Sequence, residues 1–329
     1  LPPVVVSSDV IEQRHGLPEG FAAFLTGQYP LTNGIFLNDL RLPTNQPTLG
    51  TVLRDSGYDT AYIGKWHLDG NERSAFTPPG PRRQGFDFWA VGNCTHKYLK
   101  SLYYRDTPEP LYWEGYDAEA QTTLALDYIR SRTGDRPFGL VMSWGPPHSP
   151  YRDIPQKYLD QYGPEDIDIR PNCPEPDLDD LTGYYAHVTA LDDQLGRLYA
   201  CLEDEGKLED TVFVFTSDHG DMLGSHGVQK KQHPWDESIM VPFVMRCPGQ
   251  ATQGHTITSP LNVVDLMPTL LGLAGVTVPD TVEGLDHSPA IRGEDFQGNE
   301  ASLAMSIAPF AEYRGQPWRG ARTERHTYV

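Results

Sequence analysis

The chain has 329 residues, 38% hydrophobic and 11% aromatic, with 45 acidic side chains against 26 Lys and Arg, for a net charge of −19. That is enough apolar material for a packed core and excludes wholesale disorder. The acidic balance argues against a nucleic-acid partner, whose footprint is a basic patch, but leaves room for a small anion, since a few cations can dominate one pocket.

Helix-like and strand-like segments alternate along the chain, which predicts an α/β sheet with helices on its faces. "PTLGTVLRDSG" puts Leu49, Val52 and Leu53 on one helical face and ends at Gly57, a C′ glycine. "YDTAYIG" follows as a short strand, "AEAQTTLALDYIRSR" as a helix, and "PFGLVMSW" as an apolar strand running into "GPPHSPY". Over 178–203, Leu181, Tyr184, Val188, Leu191, Leu195, Leu198 and Leu202 recur at alternating spacings of three and four, which predicts a helix with a core-packing stripe. "DTVFVFTS" and "MVPFVMRCPG" are further strands. "NVVDLMPTLLGLAG" is a helix with Pro268 near its start or kinking it.

Three of these strands end in polar clusters: Lys65-Trp66-His67, Pro146-Pro147-His148 and Asp218-His219-Gly220-Asp221. In open α/β sheets, ligands gather beyond the carboxyl ends of strands. One such cluster alone reads as an ordinary loop; three together predict one shared pocket, with Lys231 of "GVQKKQHPWDES" as a further cation. Asp218 and its neighbours offer donors for a divalent metal. Lysines and histidines suit a multiply charged oxyanion such as sulfate or phosphate. Glycines there let the backbone turn tightly and approach a ligand.

Other features read as structural. "GFDFWAVG" is a buried aromatic segment near the pocket rim, and Arg82 and Arg83 are surface cations. His226 and Asp221 either support the site by hydrogen bonds or are plain loop residues. The four cysteines are far apart with no CxxC pair, so zinc-ribbon and redox readings fail. Asn93-Cys94-Thr95 fits a glycosylation sequon, and no stretch is apolar enough to span a bilayer. The chain begins without Met, shows no signal peptide, and reads as a piece of something longer.

In combination the motifs resemble the sulfatase family. "GYDTAYIGKWHL" is similar to the second sulfatase signature, and "TSDHGDMLGSHG" with "KKQHPWDESIMVPF" to the family's metal strand and lysine loop. "PPHSPY", "YYAHVTALDDQLGRL", "NVVDLMPTLLGLAG" and "WRGARTERHTYV" resemble further landmarks in family order. The resemblance covers roughly residues 22–329 as an incomplete catalytic domain, after a divergent or misread segment 1–21. It implies an alkaline-phosphatase-like α/β/α sandwich with a mostly parallel mixed central sheet, and a C-terminal subdomain that is missing here. Asp218 and His219 match the late metal ligands, usually for Ca2+, with Mn2+ or Zn2+ open because His219 stands where Asn is common. Lys65 and Lys231 match the lysines that hold the sulfate, His67 the residue that orients the nucleophile, and His148 the histidine on the sulfate or leaving oxygen.

The departure is at the nucleophile. The family's Cys-x-Pro-Ser-Arg, whose cysteine becomes formylglycine, is replaced by Leu17-Pro18-Glu19-Gly20-Phe21. Leucine has no heteroatom and cannot attack sulfur. The family's early metal-binding strand is not evident either: "VVVSSD" mimics a strand ending in Asp9, too near the nucleophile position to be that strand. The resemblance therefore implies hydrolysis of a sulfate-ester small molecule or sulfated glycan, impaired in this exact chain, in a periplasmic or secreted setting. The alternatives are a phosphonate monoester or phosphodiester hydrolase of the same superfamily, and a non-catalytic protein that binds sulfated glycans.

Overall fold

The computed structural model describes residues 4–11, 17–70, 72–251, 257–306 and 317–329, with the backbone alone for 4–11 and 17–19. The principal elements are β1 (Val4–Ile11), α1 (Leu17–Thr26), α2 (Leu49–Asp55), β2 (Asp59–Lys65), β3 (Phe88–Gly92), α3 (Asp117–Arg130), β4 (Phe138–Ser143) and α4 (Leu178–Asp204). They continue with β5 (Phe213–Thr216), β6 (Met240–Arg246), β7 (Leu261–Asn262), α5 (Val263–Leu273), β8 (Ser302–Ser306), β9 (Trp318–Arg322) and β10 (Thr327–Tyr328). The chain forms two compact units: Gly57–Leu208 with Leu223–Gln229, and Leu1–Ser56 with Glu209–Met222 and Lys230–Val329.

In the first of these, a parallel sheet runs in the order β3-β2-β4, with Lys65 opposite Gly92 and Gly64 opposite Ser143. Five consecutive residues of β2 are buried, as a strand covered on both faces requires. Helix α4 opens on Asp177, whose carboxylate accepts from the Asp179 and Asp180 amides and so satisfies two donors that have no partner within the helix. It packs along α3, where the Arg197 guanidinium donates to Thr123 Oγ1 at 2.8 Å. Tyr98, Tyr116, Ile154, Ala186, Ala190 and Leu191 build the core beneath.

Leu181, Leu191, Leu198 and Leu202 are buried, as the stripe predicts, but Val188 is 47% exposed and Tyr184 half-buried. The expectation of continuous core packing is corrected there: the helix faces a cleft over that stretch. Arg83 corrects another expectation. It is buried, donates to Asp106 and to the carbonyls of Thr77 and Arg105, and lies over the Trp89 ring. Its neighbour Arg82 forks onto the buried carboxylate of Asp69. These guanidiniums are drawn inward because each finds oxygen partners for its fork. "GFDFWAVG" is buried around Phe86, Trp89, Ala90 and Val91, as expected.

In the other unit the sheet order is β5-β6-β1-β7, with β6 antiparallel to β5 and β1, and β7 parallel to β1. The segment read as a strand ending at Asp9 continues to Ile11, with a register irregularity between Ser7 and Val10, and lies between two partners. A second, antiparallel sheet joins β8, β9 and β10. At the start of helix α5 the Asn262 amide donates to Asp265 Oδ2 at 2.8 Å, and Pro268 lies inside the helix. Among the described residues, no helix is long and apolar enough to cross a membrane.

Candidate functional site

Each unit carries one cluster of the residues singled out from the sequence. In the unit of the parallel sheet, the three strands point the same way, so their carboxyl ends share one edge. Lys65 ends β2, and the ladder continues past it through hydrogen bonds from the Trp66 amide to the Gly92 carbonyl and from the His67 amide to the Asn93 carbonyl. His67 is buried and held at φ 55°, a left-handed conformation uncommon outside glycine. Gly64, at φ +119°, passes so close to β4 that a Cβ there would lie 2.1 Å from the Ser143 carbonyl oxygen. A side chain at 64 would push Lys65 off its strand end.

His148 follows β4. Its ring Nδ1 lies 2.8 Å from the Ser149 carbonyl oxygen, an acceptor, so Nδ1 carries a proton. The Tyr98 hydroxyl donates to the His148 carbonyl at 2.8 Å. His96, beyond β3, stacks on the His148 ring with centroids 4.6 Å apart and 29° between planes. Sequence reasoning missed His96, although it follows the same pattern of an apolar strand, "FWAVG", running into a polar stretch, Asn93-Cys94-Thr95-His96. Asn93, the sequon residue, is buried and donates to the Glu72 carbonyl, so in the folded chain it is no glycan acceptor.

The other unit holds Asp218, His219 and Lys231. Beyond β5, the His219 ring Nδ1 lies 2.7 Å from the Gly220 carbonyl oxygen, which fixes the proton there and leaves Nε2 as the acceptor. Lys231 Nζ approaches Nε2 to 2.8 Å, and Asp218 Oδ2 stands 3.7 Å from the same nitrogen. Lys230 and Gln232, on either side of Lys231, have φ of 65° and 76°. Left-handed conformations in non-glycine residues are costly and gather where a site fixes them. Gly220 brings the loop onto a neighbouring segment: its amide donates to the Ser238 carbonyl, and a Cβ would lie 2.1 Å from the Glu237 carbonyl oxygen.

The chemistry of this donor set suits a divalent cation in two positions. A carboxylate oxygen and an imidazole lone pair lie side by side, and the ring tautomer presents the lone pair rather than the proton. Among the described residues, no group of three or more His, Cys, Asp and Glu is placed to hold a metal ion. His226 is exposed, with Nε2 3.1 Å from Asn172 Nδ2. The Phe21 ring packs on that of Phe24, with centroids 5.7 Å apart. All four cysteines are free thiols.

The sulfatase family model matches residues 18–276. The chain belongs to the sulfatase family. An ulvan-active sulfatase of Formosa agariphila is 44% identical over 318 residues, 94% of this chain and 62% of that relative. An endo-4-O-sulfatase of Bacteroides thetaiotaomicron is 30% identical over 92% of this chain and 68% of its own length. A solved structure from a Bacteroides thetaiotaomicron locus for glycosaminoglycan metabolism superposes with a TM-score of 0.91 at 25% identity, over 99% of this chain and 77% of that one. This sulfatase-family chain thus spans about three-fifths of the length of the Formosa relative. Its fold is the α/β architecture of those structures, and a divalent cation and formylglycine are general to the family.

Proposed function

We propose that this chain binds a sulfate ester carried on a glycan and, with Leu17 at the nucleophile position, turns it over little or not at all. The observation that carries the reading is the trio Asp218, His219 and Lys231, in which the Lys231 ammonium lies 2.8 Å from the oriented imidazole nitrogen of His219 and the Asp218 carboxylate stands 3.7 Å from that nitrogen. Asp218 and His219 would hold a divalent cation, which when bound supplies positive charge to offset a sulfate group. With His219 Nε2 engaged by that cation, the Lys231 ammonium would be left to donate to the anion's oxygens.

Lys65 and His67 are read as further hydrogen-bond donors to an anion, from the strand end that positions them. His148, when protonated at Nε2, would donate a hydrogen bond to the ester's bridging oxygen. Leu17, read at the cysteine's place, has no heteroatom, so on this reading the family's attack on sulfur lacks its agent. The relatives named for ulvan and for endo-4-O-sulfate cleavage support a polysaccharide as the carrier of the ester.

Calorimetry with sulfated oligosaccharides, paired with a p-nitrophenyl sulfate assay, tests this. Binding without product is expected, with Lys65→Ala and Lys231→Ala each weakening it about tenfold or more, the range of one charge-assisted contact. Turnover by the unaltered chain that disappears in Lys65→Ala would overturn the inactive reading. Failure of every sulfated ligand to bind would overturn the whole.

A further inference from the structure

Over its first turns helix α4 keeps Leu181 buried while Tyr184 is half-buried and Val188 exposed. Leu181, Tyr184 and Val188 lie on one face at helical spacing, and with Tyr162, Arg170 and Cys173 they line a cleft of about 240 Å³. Every residue of that lining belongs to the same unit, and none is among Lys65, His67, His148, Asp218, His219 and Lys231. We infer that this cleft is a second carbohydrate subsite that takes one further sugar ring of the sulfated polysaccharide. The inference rests on the glycan reading above and adds a second grip on the chain of sugars, made by residues other than those named for the sulfate.

Three features point to a sugar rather than to a lipid or a gap in packing. The first is size: pockets for drug-sized ligands run to roughly 300–1,000 Å³, so this cleft suits a single ring. The second is the pairing of aromatic walls with anchored polar atoms. The Tyr162 hydroxyl is bonded to Thr189, and the Tyr185 hydroxyl donates to the Asp168 carbonyl at 3.3 Å. The rings of Tyr162 and Tyr185 pack edge to face at 5.8 Å, as do those of Tyr151 and Tyr184 at 6.1 Å. These contacts fix the aromatic groups before a ligand arrives, which lowers the cost of ordering them on binding. A pyranose offers a face of polarised C–H groups, complementary to the negative face of an aromatic ring, and a rim of hydroxyls for water and polar neighbours.

The third feature is charge. Arg170 stands at the rim with Nη1 donating to Ser225 Oγ at 3.3 Å, an exposed guanidinium in a chain of net charge −19. Its planar fork matches a sulfate or carboxylate substituent on the sugar. A purely apolar guest would strip water from that guanidinium and return no hydrogen bond, at a net cost. The cleft's aromatic walls and its cation therefore select the same guest, an anionic sugar ring.

Size-defined ulvan, carrageenan and glycosaminoglycan oligosaccharides provide the probes, and the binder among them is carried forward as disaccharide and hexasaccharide. Tyr184→Ala and Arg170→Ala are each expected to weaken the hexasaccharide by up to about tenfold, one aromatic or charged contact's worth. Both are expected to leave the disaccharide unchanged. Val188→Trp, which fills the cleft from an exposed position and so spares the core, is expected to do the same with an unaltered melting temperature. Alkylation of Cys173, read on its peptide by mass spectrometry, is expected to slow under saturating hexasaccharide and not under disaccharide. Hexasaccharide affinity that is equal in all three variants, with Cys173 unprotected, overturns this inference and leaves the sulfate-binding reading standing. Absence of binding by every probe overturns both.

Discussion

Asp117 is the first residue of α3, buried, with Oδ2 accepting from the Ser101 hydroxyl at 2.9 Å. Its other oxygen, Oδ1, is buried without a hydrogen-bond partner among the described residues. Burial, aided by the nearby Asp153 charge and opposed by the Ser101 and Ala118 hydrogen bonds, pushes its pKa from 3.8 up to about 7. A raised acid pKa means that the folded state binds the proton more tightly, so this residue's contribution is full below pH 3.8 and is lost as pH rises to 7. At 1.36 kcal/mol per unit, the loss is about 4 kcal/mol.

His187 has the opposite slope. Burial pushes it down to about 4, so the unfolded chain binds the extra proton between pH 4 and 6.5, and stability rises with pH across that window by about 3 kcal/mol. The two slopes offset, and the unaltered chain is expected to show nearly flat stability from pH 4 to 6.5. Asp117→Asn keeps the shape and an acceptor for Ser101 but removes the acid. Its stability should match the parent near pH 4 and exceed it by about 4 kcal/mol at pH 8. The assay is urea unfolding at pH 4, 5, 6, 7 and 8, followed by tryptophan fluorescence, since Trp66, Trp89, Trp113 and Trp144 all lie in the same unit as Asp117. A difference between variant and parent that stays constant across pH would refute the reasoning, because only titration of this carboxyl makes it grow.

Other outcomes follow from the same contacts. Unfolding Asp117→Asn itself across pH 4 to 6.5 should reveal the His187 slope of about 1.4 kcal/mol per unit, and a flat profile there would assign the histidine an ordinary environment. Gly64→Ala combines a positive φ with a Cβ 2.1 Å from the Ser143 oxygen, so a loss of at least about 2 kcal/mol is expected by chemical denaturation. Arg83→Met strands the Thr77 and Arg105 carbonyls and should lose about 2–3 kcal/mol, whereas Arg83→Lys, retaining charge without the fork, should recover only part of it.

Much of the architecture was legible before any coordinates. The runs at 59–65 and 138–143 and the helix at 178–204 follow from apolar periodicity, which is a property of neighbours in the chain. The absence of a Cys-x-Pro-Ser-Arg pattern is equally a fact of the sequence. Periodicity failed at Val188 because a pattern gives the face of a helix but not whether anything covers it. It failed at Arg83 because a cation is drawn inward only when distant carbonyls and a carboxylate meet it, and Thr77, Arg105 and Asp106 are brought to it by the fold. His96 was passed over because nothing local in "NCTHKY" says that its ring will lie on that of His148, 52 positions later.

The sequence by itself determined the succession of strands and helices, the polar clusters at strand ends, and the family. Tertiary structure alone decided the partners: Lys231 on His219, His96 on His148, and three tyrosines with an arginine around a ring-sized cleft. The physical reason is range. Burial pattern, capping and turn formation are settled among residues a few places apart, while the identity of a hydrogen-bond or stacking partner depends on which distant surfaces the packed core brings within a few ångströms.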